Sequence, residues 1–298
     1  MQLGAMIPQN DIHGSASALR SFAAAAEEYG YRYLLAADHV LGVNLASRPD
    51  WPRDRNTSAD FFHDPFVMFG FLAGVTKLEF ATGVLILAQR QAVLVAKQAA
   101  SLAVLCEGRF RLGVGVGWNP VEFTGLNENF HNRGRRSEEQ VEVMQALWAA
   151  PHVEFSGKYH RIEDAGINPR PPGGRVPVWF GGHHENTLQR IARFGDGWMM
   201  LAHPAGPEAL AQFDTLRRLT EAAGRDPAAL GIEIWTSTGA GTEKDWREEL
   251  LFWKRAGVSH VTLASTHGRG GHVRIAGRGL ADHIEALRRY REAVGDLL

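Results

Sequence analysis

Gly108-Arg-Phe-Arg-Leu-Gly-Val-Gly-Val-Gly-Trp118 reads as a short apolar strand, residues 110–116, that runs out into glycines. A dinucleotide fingerprint of the form G-x-G-x-x-G needs glycine at position 118 if it begins at Gly113, or at 120 if it begins at Gly115. Those positions hold Trp118 and Pro120, so the fingerprint is absent, and Pro120 interrupts any helix that would open at once. Two readings of the glycines stay open: they let a large flat ligand approach the backbone, or they make room for packing.

The alternation of strand and helix extends in both directions from there. Toward the N-terminus, short apolar runs at residues 3–7, 33–37 and 80–87 are each followed by a helical pattern. The first such helix carries Leu19, Phe22, Ala23, Ala26 and Tyr29, with Ser15 or Ser17 as N-cap and Gly30 as the stop. Toward the C-terminus, runs at residues 178–180, 197–201, 231–236 and 260–264 alternate with helices, the last marked by Ala281, Ile284, Leu287, Tyr290 and Val294. Ser137 and Gln140 have capping-box spacing ahead of Val141, Met144 and Trp148. The count is about eight strand-plus-helix units, the signature of a parallel sheet. A length of 298 residues without a compositional break suits a closed barrel better than an open doubly wound sheet. The expected fold is α/β, a single (β/α)8 TIM barrel over residues 1–298.

Residues 40–63, 119–133 and 152–174 fall outside the repeat; the third holds Val153-Glu-Phe-Ser-Gly-Lys-Tyr-His160, which has the form of a hairpin. The first two follow strands. They are therefore expected as insertion loops at the C-terminal face, where barrel enzymes keep their active sites.

Composition narrows the function. Lys and Arg number 32 against 33 Asp and Glu, a net charge of -1, which gives no electrostatic reason to expect nucleic acid or an acidic membrane surface. Apolar residues at 45% and charged residues at 22% exclude a disordered chain. No uncharged apolar stretch of about 18 residues is present. The first eight residues lack a basic segment ahead of an apolar run, so a cytoplasmic location is expected. Cys106 is the one cysteine, which excludes an intrachain disulfide framework and a thiolate-rich zinc site; it is expected to be a buried small hydrophobe. The 13 histidines show no H-E-x-x-H spacing, and no metal is expected. The lack of a G-x-S-x-G elbow and of a Walker lysine counts against serine hydrolases and P-loop nucleotidases.

Three short segments carry candidate chemistry, each with a structural alternative. Asp38-His39 ends the second strand, where the imidazole can exchange protons near neutral pH; alternatively Asp38 pairs structurally and His39 is solvated. Thr82-Gly83-Val84 puts glycine inside a strand, a mark of a bulge or of close backbone approach. Gly181-Gly182-His183 precedes a helix starting near Asn186, so its backbone N–H groups form either an anion site or a plain tight turn.

Several stretches, taken in chain order, resemble the bacterial luciferase-like superfamily in its coenzyme F420-dependent oxidoreductase branch. They are Ala23-Ala-Ala-Ala-Glu-Glu-Tyr-Gly-Tyr31, Ala37-Asp-His39, Ala81-Thr-Gly-Val-Leu-Ile86, Ala96-Lys-Gln-Ala-Ala100, residues 108–118, Pro177-Val-Trp-Phe-Gly-Gly182 and Ala192-Arg-Phe-Gly-Asp-Gly-Trp198. The resemblance implies a (β/α)8 barrel whose Gly83–Val84 bond is a non-proline cis peptide, part of a bulge with Thr82 beneath the cofactor's ring. It implies Asp38 and His39 at the ring's polar edge, and Gly115, Gly117 and Trp118 along the ring and side chain. Gly181 and Gly182 would offer N–H groups to the phosphate-bearing tail. Some members carry an acidic proton donor where Trp118 stands, and the substrate-phosphate lysines of sugar-phosphate-oxidising members have no counterpart here.

The resulting expectation is an F420-dependent oxidoreductase moving a hydride between the deazaflavin and a small organic substrate. His39 would be proton donor or polariser, and residues 40–63 with Trp51 the lid. The alternatives are an FMN-dependent flavin monooxygenase on the same barrel and a non-enzymatic flavin or ligand carrier. The acidic tail of F420 favours a basic exit, for which Arg269, Arg274 and Arg278 are candidates, a solvated basic loop being the other reading. A homodimer is compatible with the resemblance.

Overall fold

The computed structural model describes residues 1–52, 55–266 and 272–298. Its strands are β1 (Gln2–Met6), β2 (Tyr33–Ala36), β3 (Glu79–Thr82), β4 (Leu85–Ile86), β5 (Phe110–Gly115), β6 (Val153–Ser156), β7 (Arg161–Ala165), β8 (Val178–Gly181), β9 (Gly197–Ala202), β10 (Gly231–Thr236) and β11 (His260–Leu263). All except β6 and β7 form one parallel sheet in the order β3-β2-β1-β11-β10-β9-β8-β5. Strand β5 pairs back onto β3 and β4, which closes a barrel of eight staves with β3 and β4 sharing one. The expected barrel is therefore present. The helices are α1 (Gln9–Ile12), α2 (Ala16–Glu28), α3 (Pro65–Ala73), α4 (Ala92–Leu105), α5 (Pro120–Gly125), α6 (Arg133–Ala149), α7 (Glu185–Phe194), α8 (Pro207–Ala222), α9 (Glu243–Arg255) and α10 (Leu280–Val294). Among the described residues no helix is long and apolar enough to cross a membrane.

Local chemistry explains where these elements start and stop. Ser15, not Ser17, caps α2 by accepting the Ala18 N–H, and Gly30 just beyond the helix takes a φ of 78°. Two expectations are corrected. Ser137 and Gln140 form no capping box, because α6 begins at Arg133; Ser137 lies inside the helix and donates to Gly134 O, while Gln140 Nε2 donates to Arg90 O. Pro120 does not interrupt a helix but begins one: Asn119 caps α5 through the Val121 N–H, and proline occupies the first turn, where its missing N–H costs nothing. The run at residues 80–87 is one stave broken at residues 83–84, and the Gly83–Val84 bond is cis. Strands β6 and β7 form the expected hairpin, and Cys106 is buried.

Alternation along the strands fills the barrel with Met6, Tyr33, Leu35, Ala81, Trp179, Met199, Trp235 and Ala264. Two large rings fit only because nearby strands carry glycine. A Cβ on Gly4 would come within 2.1 Å of the Tyr33 ring, and one on Gly231 within 2.2 Å of the Trp179 indole. Near the N-terminal end of the barrel lies the buried ion pair Arg111–Glu233. Glu233 Oε1 also accepts from Trp235 Nε1 at 3.0 Å and from Thr262 Oγ1 at 2.9 Å, while Tyr33 Oη shares a hydrogen bond of 2.8 Å with Thr262 Oγ1. Burial alone would lower the Arg111 guanidinium; the attraction of Glu233 outweighs it and holds the group above its ordinary range.

His260 stands beside this pair with its ring edge-on to Trp179 at 4.9 Å. Burial, then the charges of Arg111 and the N-terminal amine, push its imidazole down to about 3. A folded-state value below the unfolded one means the unfolded chain binds the proton first as pH falls. The contribution of neutral His260 is complete above the unfolded histidine range and is lost as pH falls from about 6.5 toward 3, with a slope of at most about 1.4 kcal/mol per pH unit. Urea midpoints measured across that window should fall for the wild type and fall less steeply for His260→Gln.

Candidate active site

The chain leaves β2 so that two neighbouring side chains part. Asp38 is buried: its carboxylate accepts the Ile86 N–H at 3.2 Å and Arg90 Nη2 at 2.8 Å, fastening β4 to the end of β2. Burial pushes its carboxyl up, against the pull of Arg90 and the Ile86 N–H. His39 turns the other way, into a cavity of about 710 Å³ at the C-terminal mouth of the barrel. The resemblance implied both residues at the ring's edge; only His39 lines the cavity, and Asp38 takes the structural pairing that was its other reading.

His39 is held from behind. Its Nδ1 lies 3.3 Å from Oε1 and 3.4 Å from Oε2 of Glu122, a residue of α5 that is 1% exposed. The same carboxylate accepts the Val40 N–H at 2.8 Å, the Leu41 N–H at 3.2 Å and Gln89 Nε2 at 3.2 Å. Burial pushes Glu122 up, but the hydrogen bonds and the imidazole outweigh it, and its carboxyl lies below the usual range. Glu122 was missed in the sequence, as was Arg90, which joins Asp38 to Asp64, the N-cap of α3. A usable signal for Glu122 existed: Asn119-Pro120 is a cap followed by a first-turn proline, which predicts a short helix carrying an acid next to the site.

The cis bond and the glycines build the floor of the mouth. A Cβ on Gly83 would lie 2.2 Å from Leu35 Cδ2, so only glycine fits there. Val84 spreads its two methyl groups over β5 and β8: Cβ atoms on Gly115 and Gly181 would come within 2.6 and 2.7 Å of them. Gly117 has a φ of 77° and packs on Ile86 and Phe123. Gly113 faces Met199 and the Thr82 carbonyl. Thr82 itself is buried and donates to Gly113 O at 2.7 Å, away from the cavity. Each of these glycines thus makes room for a packed neighbour, and Val84 sits between β5 and β8 at their C-terminal ends. Gly182, with a φ of 125°, leads from β8 toward α7, whose N-cap is His184 accepting the Asn186 N–H through Nδ1.

Aromatic rings form the wall above His39. Phe62 lies edge-on to the imidazole at 4.9 Å and Trp118 at 6.0 Å. Trp51 leans on Trp118 at 5.8 Å, and the Arg55 guanidinium stacks over the Trp118 ring at 4.3 Å. The loop bearing Trp51, Arg55 and Phe62 is tied back where His63 N–H donates to Gln9 Oε1 and His63 Nε2 meets Gly14 O at 2.7 Å. Opposite, Arg274 and Arg278 reach the cavity, Arg274 paired at 2.6 Å with Asp11, which also bonds the buried His283. Arg269 lies outside the described residues.

A closed eight-stave barrel, with a cavity at its mouth, a buried carboxylate bonded to a half-buried imidazole and long loops over the C-terminal strand ends, defines a (β/α)8 barrel of the kind that binds small molecules at that face. The luciferase-like monooxygenase family matches residues 1–292, and the chain belongs to that family. The uncharacterized protein Rv0940c of Mycobacterium tuberculosis is 34% identical over 211 residues, covering 68% of this chain and 71% of that protein. The F420-dependent hydroxymycolic acid dehydrogenase of M. tuberculosis is 30% identical over 241 residues, covering 79% of this chain and 62% of that protein. Among solved structures, the monooxygenase RslO1 from Streptomyces bottropensis superposes with a TM-score of 0.76 at 17% identity, over 100% of this chain and 99% of its own.

Proposed function

We propose that the protein is a coenzyme F420-dependent oxidoreductase, in which a hydride passes between the bound deazaflavin and a small organic substrate. The observation that carries this is His39, held by Glu122 and lining, with Trp118 and Phe62, a cavity of about 710 Å³. That volume lies within the roughly 300–1,000 Å³ usual for small-molecule sites. A flat tricyclic ring suits the residues present: Trp118 and Phe62 would stand beside it in the cavity, and Val84, packed against Gly115 and Gly181 at the ends of β5 and β8, would lie beneath it. Gly117 would border the ring's side chain, and Gly181, at the end of β8, would lie beside the phosphate-bearing tail, the Gly182 N–H being given to Met199 O at 3.4 Å. Asp38 would act by fixing β4 under the floor, with Thr82 bracing β3 against β5.

His39 would hold or accept the proton that accompanies hydride transfer, at its Nε2 atom. The loop carrying Trp51 and Phe62 would exclude water. F420 is preferred to FMN because Arg278 lines the cavity beside the Arg274–Asp11 pair and offers positive charge to an acidic tail that FMN lacks. Side-by-side fluorescence-quenching titration of the purified protein with the deazaflavin coenzyme and with FMN tests this order; tighter binding of the deazaflavin is expected, and saturation by FMN alone reverses it.

A further inference from the structure

We propose that Glu122 is a positioning residue that fixes His39 as the Nδ1–H tautomer and so presents a bare Nε2 to the cavity. This deepens the reading above and rests on it for the consequence to turnover, though not for the geometry. The argument starts from what each partner is able to donate. Glu122 lies below the usual carboxylate range and is therefore an acceptor at neutral pH. Its oxygens already receive the Val40 and Leu41 N–H groups and the Gln89 amide, all of them fixed donors. A neutral imidazole facing such a carboxylate through Nδ1 has one favourable form, with hydrogen on Nδ1.

The second ring nitrogen is then decided. Among the described residues nothing bonds Nε2 of His39, and no lysine or arginine pairs with Glu122. Nε2 is left as a proton acceptor, held in place by Phe62 and Trp118 on the ring's sides. If a substrate hydroxyl is oxidised, Nε2 would take the proton from its oxygen, the carbon bearing it would give up a hydride, and the chemistry the deazaflavin would supply when bound is acceptance of that hydride, leaving a carbonyl product. The imidazolium so made faces the Glu122 charge. Reduction runs the same transfers backward. The Val40 and Leu41 bonds also tie this carboxylate to the root of the loop over the cavity, so one buried group sets both the ring and the start of its cover.

The test reads the ring directly. Nitrogen-15 spectra of histidine-labelled protein at about pH 9, above the ordinary histidine range, distinguish the two tautomers. Assignment comes from the signal missing in His39→Ala. The wild type is expected to show Nδ1–H. Glu122→Ala should lose that single form and spread His39 over both tautomers, with kcat falling about 10- to 100-fold, the size of loss found when the carboxylate that orients a metal-bound histidine is removed. Glu122→Gln guards against a folding defect. Its amide oxygen keeps the Val40 and Leu41 bonds and accepts from Nδ1, while Gln89 has a free Oε1 to receive the new amide N–H. E122Q is therefore expected to restore the Nδ1–H form. A wild-type Nε2–H signal, or an unchanged tautomer in E122A, overturns the proposal. Normal tautomer behaviour with no oxidoreductase turnover would instead remove the functional reading and leave the positioning intact.

Discussion

His39→Ala is expected to lose about 10²- to 10⁴-fold in kcat for the deazaflavin-coupled reaction, the range typical of removing a positioned proton-transfer group. Coenzyme affinity should change little. The floor that the ring would rest on is made by Val84 and the glycines of β5 and β8, and His39 contributes nothing to it. The imidazole stands instead in the wall, in edge contact with Phe62 and Trp118. Loss of kcat with retained quenching of the coenzyme is thus the signature of a proton-handling role. Wild-type turnover in His39→Ala would remove that role, and loss of coenzyme binding would make His39 part of the cofactor site.

The second large effect concerns the barrel interior. Arg111→Met should destabilise the protein by about 3–5 kcal/mol, because it leaves Glu233 charged and buried without its cation. Trp235 and Thr262 would still donate to Glu233, but two neutral donors do not replace a guanidinium. Replacing both partners, as in R111M/E233L, should cost clearly less than the sum of the single changes, since the desolvated charge disappears with its partner. Urea denaturation of the four proteins measures this. Equal, additive losses would mean that the pair contributes nothing as a pair.

Much of the fold was legible because it depends on patterns that recur locally. Short apolar runs followed by helical spacing located the barrel staves, and the Ser15 cap and the Gly30 stop framed α2. The break at Gly83 was legible as a glycine in a β-rich run and, through the family resemblance, as a cis bond. The site was less so. That Asp38 and His39 diverge depends on where β2 ends, and that Glu122 reaches His39 depends on α5 folding back across 83 residues of sequence. Neither is encoded by spacing. The glycines of β5 had two readings in the sequence, and the choice required the positions of Val84, Ile86 and Met199. The hydrophobic pattern also misled at Ser137, where a buried polar residue within α6 has the same spacing as a cap.

On the proposed reading, the barrel mouth, Val84 and the His39 wall would accommodate a planar three-ring group. Quenching titration with the deazaflavin coenzyme and FMN in parallel asks for that group directly. Saturable quenching, strongest with the deazaflavin, is the result this account predicts; no quenching by either compound at any concentration reached would contradict it.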